Sequence, residues 1–196
     1  IINNTANIGA GIGALSGTLY INHLQLSGNV GAYGSAISLG EPLGLVISEI
    51  NMTIINSTIT HNSGLLGVGM INTAQMNAVN TIFWNNGDVE FSPLPNNEQL
   101  NLNMIYCDAE DEWPGEGNIN QDPLFADFDY TLSQSSPCID AGTADIDMDG
   151  SYDIEIYSGL APDMGAFEYT GSCSEIDGDI SQDGNTNILD IVSIVN

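Results

Sequence analysis

Ile1-Ile2-Asn3-Asn4-Thr5-Ala6-Asn7-Ile8-Gly9-Ala10-Gly11-Ile12 is a twelve-position pattern that returns as Leu26 to Ile37 and again as Ile59 to Met70. All three copies read aliphatic, two free positions, Asn, a free position, Ala or Gly, two free positions, Gly, a free position, Gly or Ala, then Ile or Met. The fixed members are Asn4, Asn29 and Asn62, with Gly9, Gly34 and Gly67. A fourth start, Ile82-Phe83-Trp84-Asn85-Asn86-Gly87, keeps the first half and then places Glu90 where the Gly belongs, so the array is expected to end there.

Successive copies start 25, 33 and 23 residues apart, the range in which fixed-period similarity means a solenoid. Between the Gly-rich segments the period is two: Ile50, Met52 and Ile54 alternate with Glu49, Asn51 and Thr53. That is strand periodicity, and helix formers are sparse. The expectation is an all-β chain whose coils stack strand over equivalent strand at about 4.8 Å. Asn at one place in every coil then has a task. Its amide donates to the coil on one side and accepts from the coil on the other. Gly supplies the tight or left-handed turns, and the aliphatic positions stack inside.

Charge narrows the partners. The 196 residues carry 26 Asp plus Glu and no Lys or Arg, a formal net charge of −26, where average usage gives roughly two dozen basic residues. No carboxylate can pair with Lys or Arg, so each must be hydrated, hydrogen-bonded or bound to a metal ion. Nucleic acid and anionic membrane surfaces are excluded as partners, because both are held by basic side chains. The charge is uneven: Glu41, Glu49, Asp88, Glu90 and Glu98 are the only acids in residues 1–100, which leaves 21 of the 26 behind them.

Three regions follow: repetitive coils over 1–95, an acidic cap over 96–170 and a tail over 171–196. Cys107, Cys138 and Cys173 fit neither a dense disulfide framework nor a zinc site, and one Cys107–Cys138 bridge is expected. No apolar run reaches the roughly 18 residues of a membrane-spanning helix. The chain opens inside a copy of the repeat and stops inside an apolar run, so a longer parent protein is expected. Asn3, Asn51 and Asn56 begin Asn-x-Ser/Thr triplets, which an Asn- and Thr-rich strand protein produces by composition.

The repeat, on Ile59-Thr60-His61-Asn62-Ser63-Gly64 and its companions, resembles the right-handed parallel β-helix of pectin-lyase-like and polymorphic outer-membrane-type surface proteins. Four later blocks resemble the ending of secreted β-helix proteins in order: Tyr106-Cys107-Asp108, then Gly117 to Phe125, then Ser136 to Gly142, then Asp163 to Tyr169. The resemblance implies that this region closes the last coil and covers strand edges that would otherwise aggregate. It also implies an extracellular or bacterial cell-surface location.

Two stretches carry calcium-loop spacing. Asp145, Asp147, Asp149, Gly150 and Asp153 match positions 1, 3, 5, 6 and 9 of a twelve-residue loop, with Ile156 where an acid normally stands. Asp179, Ser181, Asp183, Asn185, Asn187 and Asp190 form a fuller set around Gly184. With the apolar run Ile188 to Val195, the second stretch resembles the first half of a type I dockerin, which implies a loop leading into a helix and, where a second loop-helix completes the dockerin, a cohesin-type partner. Calcium is the expected cofactor at both.

No catalytic constellation stands out. The lyases of the β-helix family use an Arg or Lys base, and this chain has neither. His23 and His61 read as turn residues, and nothing ties Glu41 to Glu49. The leading expectation is a secreted or cell-surface calcium-binding β-helix with a structural, adhesive or assembly role, self-associating into oligomers or fibres. The alternative is the C-terminal part of a polysaccharide-degrading enzyme attached through a dockerin.

Overall fold

The computed structural model describes residues 1–40, 49–70, 73–94 and 99–171. Among them are twelve strands in three parallel four-stranded sheets, and no helix. Three consecutive strands, one per sheet, make a coil. The first coil is β1 (Ile12–Ala14), β2 (Gly17–Asn22) and β3 (Gln25–Ser27); the second is β4 (Ile37–Leu39), β5 (Ile50–Ile55) and β6 (Thr58–Thr60). The third is β7 (Leu66–Met70), β8 (Ala74–Val79) and β9 (Ile82–Trp84), and the fourth is β10 (Val89–Pro93), β11 (Asn101–Ile105) and β12 (Asp108–Ala109). Sheet orders β1-β4-β7-β10, β2-β5-β8-β11 and β3-β6-β9-β12 put each strand beside its equivalent in the next coil.

Period-two alternation decides which side chains go inside. Leu19, Met52, Met76 and Leu102 oppose one another in register, as do Ile21, Ile54, Ala78 and Met104. Both columns belong to one core with Leu26, Ile59 and Phe83 of the third sheet. The residues between them, Thr18, Asn51, Gln75 and Asn101, then Tyr20, Thr53, Asn77 and Asn103, point outward in equally regular columns.

The corner after the third strand of the first three coils is held by the expected amide ladder. Asn4 Nδ2 donates to Asn29 Oδ1 at 2.9 Å, Asn29 to Asn62 at 2.8 Å and Asn62 to Asn86 at 2.7 Å. The backbone N–H groups of Asn4, Asn29 and Asn62 donate to the same acceptors. The residue before each rung is left-handed, with φ of 56° at Asn3, 66° at Gly28, 53° at His61 and 58° at Asn85. Asn and Gly reach that region at the lowest cost, which explains their density here. Gly67 serves differently: it is not left-handed, but a Cβ there would collide with the Asn86 carbonyl.

The fourth copy differs from its sequence reading. The rung is Asn86, not Asn85, because Phe83 rather than Ile82 pairs with Ile59. The array also continues, since β10, β11 and β12 all join their sheets. One residue fewer separates Asn86 from the next strand than in the preceding coil, so a search in fixed frame loses the match. A second ladder holds the corner after the second strand, where Asn56 donates to Asn22 at 3.1 Å and Asn80 to Asn56 at 3.0 Å.

The acidic segment after β12 returns to the earlier coils. Ile119 bridges Asp108 and extends the third sheet. Beyond it, Leu132, Cys138 and Met164 bury Ile82 on that sheet's outer face. Ala166 N–H reaches Thr58 Oγ1 at 2.9 Å, and Asn80 exchanges two 2.8 Å bonds with the Thr143 backbone. The segment therefore lies along the flank of the second and third coils.

Cys107 and Cys138 are buried and free, so the expected bridge is not formed. Cys107 occupies a corner column with Ser57 and Thr81. All three donate to the carbonyl two residues earlier: Ser57 to Ile55 at 2.7 Å, Thr81 to Val79 at 2.9 Å and Cys107 to Ile105 at 3.3 Å. The Cys138 thiol instead donates to Asp108 Oδ2 at 3.2 Å. Burial pushes the Cys107 thiol up to about 12 and raises Cys138 further.

Two outcomes are expected. Asn62→Ala strands a buried donor on Asn29 and an acceptor on Asn86, and should cost about 3 kcal/mol or more in urea unfolding. The same change at exposed Asn4 should cost under about 1 kcal/mol, and equal losses at the two sites would contradict the ladder's role. Iodoacetamide should leave Cys107 and Cys138 unmodified in the native protein and label both after denaturation, with peptide mass mapping as the check.

Candidate functional site

The outward columns of the second sheet form the floor of a groove of 970 Å³. Tyr20, Thr53, Asn77 and Asn103 run across all four coils along it, and Tyr20 is 67% exposed. The facing wall is the stretch 146–156, which contributes Asp147, Asp153 and Glu155. Amide, hydroxyl and phenol groups repeat at the strand spacing of about 4.8 Å. Such a surface offers paired donors and acceptors to a hydroxyl-rich ligand and no cation to an anionic one. His23, exposed, lies at the groove edge.

The wall is itself an acidic loop. Asp153 and Ile154 N–H both donate to the Ala144 carbonyl, at 2.7 and 3.0 Å, and close it. Left-handed Met148 and Gly150, with φ of 60° and 93°, reverse the chain inside it. That geometry brings Asp145, Asp147 and Asp149 together, with one oxygen of each within 4.8 Å of the others. Asp153 does not join this group: its Oδ2 accepts from Ile146 N–H at 2.8 Å.

Backbone donors offset part of the repulsion. Asp145 accepts from Asp149 N–H at 3.1 Å and Gly150 N–H at 2.8 Å, Asp147 from Asp149 N–H at 3.2 Å, and Asp149 from Ser151 N–H at 2.8 Å. A carboxylate oxygen that accepts one N–H keeps another lone pair for a ligand. The group could hold a metal ion. A hard divalent cation wants roughly six to eight oxygens, so backbone carbonyls or water must complete any shell. Asp179, Ser181, Asp183, Asn185, Asn187 and Asp190, with the loop and helix expected there, lie outside the described residues.

Glu90, Asp108 and Asp163 are buried, which the sequence reading did not foresee, and the first two lie within the coils. Glu90 is 4% exposed, and burial raises its carboxyl to about 8 against the lowering effect of two hydrogen bonds from Asn86. Asp108 is fully buried, and burial raises it to about 6 although Gln121 N–H and the Cys138 thiol both donate to it. The only signal available was that both interrupt a column: Glu90 opposes Gly67 and Asp108 opposes Ile82. Among the Asn-x-Ser/Thr triplets, Asn56 is a buried rung and inaccessible, while Asn3 and Asn51 are exposed.

Comparison of the chain with protein-family models, with curated proteins and with solved structures finds no match.

Proposed function

We propose that this chain belongs to an extracellular or cell-surface bacterial protein built as a right-handed parallel β-helix, stabilised by calcium and serving a structural, adhesive or assembly role. The observation that carries the reading is the group Asp145, Asp147 and Asp149 in a chain with no cationic side chain to offset it. Calcium is the counter-charge such carboxylates accept, and alternate Asp residues around a left-handed Gly150 suit its oxygen shell. The loop bonds back to the coils through Thr143 and Asn80, so an ion there stabilises the cap along with the loop. A second ion at Asp179 to Asp190 and a cohesin-type partner remain part of the proposal, as does self-association into oligomers or fibres.

The groove favours a second reading, in which the chain is the polysaccharide-engaging part of a carbohydrate-active protein. Its floor of Tyr20, Thr53, Asn77 and Asn103 suits stacking and hydrogen bonding to an uncharged sugar chain. Tyr20→Ala should then remove retardation of the protein in a polysaccharide-containing native gel. Unchanged migration of wild-type protein across a panel of neutral polysaccharides would dismiss this reading.

For calcium, adding the ion well above its dissociation constant should raise the melting temperature by about 5 to 10 °C relative to EDTA. Calorimetric titration assigns the sites: Asp147→Asn should abolish one binding event and Asp183→Asn the other. Identical melting curves in EDTA and in calcium, with no binding heat, would sink the proposal.

A further inference from the structure

The asparagine ladder ends in an unusual way. Each rung gives two donors, its Nδ2–H and its backbone N–H, to the amide oxygen of the next coil. Asn86 is the last rung, and a carboxyl takes the place of a further amide. Its Nδ2 donates to Glu90 Oε1 at 2.6 Å and its backbone N–H to Glu90 Oε2 at 3.1 Å. In the strand register Glu90 stands opposite Gly67, which has no side chain to offer. Glu90 alone therefore fills the end of the ladder, and it is the first residue of β10 to be buried against β7.

We propose that Glu90 is a proton-operated terminus of the asparagine ladder, seating the fourth coil on the third while its carboxyl is neutral and loosening that junction when it ionises. The geometry gives an ionised Glu90 no cation. β7 (Leu66–Met70) and β9 (Ile82–Trp84) contribute no titratable group, Asn86 is neutral, and the charges acting on it are the acids Glu110 and Asp111. Phe91, the next residue, packs edge-on to Phe83 with centroids 5.1 Å apart and against Trp113 at 5.3 Å. Displacement of Glu90 would disturb the aromatic contact between the two coils.

The direction with pH follows from where the proton is held. In the open chain the carboxyl ionises near 4.5, and in the folded chain burial moves this to about 8. The folded state therefore keeps a proton that the unfolded state gives up. Glu90's contribution is complete below 4.5, falls as pH rises through about 8 and is then constant.

The test is urea unfolding of the whole chain as a function of pH. Above the range in which Asp108 titrates, near 6, the folding equilibrium constant of the wild type should fall about tenfold per pH unit until Glu90 ionises in the folded state. Glu90→Gln keeps the shape and an acceptor for Asn86, and Glu90→Gly copies the preceding coil; both should abolish that fall. A fall of wild-type size in either variant overturns the proposal. A carbon-13 titration of the Glu90 carboxyl in unmodified protein needs no variant: a midpoint near 8 is expected, and one near the ordinary 4.5 overturns it.

Discussion

The first three coils each bury an asparagine at the same corner, Asn29, Asn62 and Asn86, and each of them is bonded to the coils on both sides. An unpaired buried amide costs about as much as several surface contacts contribute, so no coil can shift register without stranding its neighbours. The ladder is thus cooperative by construction, and the apolar columns inside repeat the constraint. Met52 over Met76 and Ile54 over Ala78 are side chains fixed by the same register. A solenoid of this kind is stable only as a stack, since each coil's strands pair only with their equivalents in adjacent coils.

The ladder was legible because it rests on one residue type at one place. Asn4, Asn29 and Asn62 could be aligned from sequence, and the period-two alternation around Met52 correctly assigned inner and outer faces. What defeated the reading was the single residue missing between Asn86 and β10, which set Asn85 in the expected frame and hid the fourth coil. The cap's location was hidden for another reason. Residues on the outer face of a sheet are normally polar, as Thr58 is, and Ile82 one coil later gave no sign that a distant segment would bury it. Cys107 was misread because a bridge to Cys138 was what remained once a dense disulfide framework and a zinc site were set aside. In the fold it replaces the hydroxyls of Ser57 and Thr81, and the thiol donates as they do.

The site was legible to a different degree. Alternate aspartates around Gly150 marked the loop, and the fold brings three of the four together. Asp153 turns away because Ile146 N–H claims its oxygen, a contact that spacing alone does not reveal. The groove was invisible from sequence, since its floor is drawn from four coils and its wall from residues more than forty positions further along the chain.

The absence of Lys and Arg links these features. With no cation available, polar groups inside the stack are satisfied mostly by amides, hydroxyls and backbone, and Asn is a short side chain that both donates and accepts without charge. Acids are then tolerated inside only where several donors converge. Asp108 has a backbone N–H and a thiol, and Glu90 has both donors of Asn86. Elsewhere the carboxylates gather in the segment that wraps the flank, where Asp140, Asp163 and Glu168 accept backbone N–H groups from one another's neighbourhood. This segment holds its irregular loops by that means, using carboxylates as acceptors for backbone donors that no sheet neighbour satisfies. The uneven charge along the chain is therefore a structural division: amides order the coils, and carboxylates order the segment that covers them.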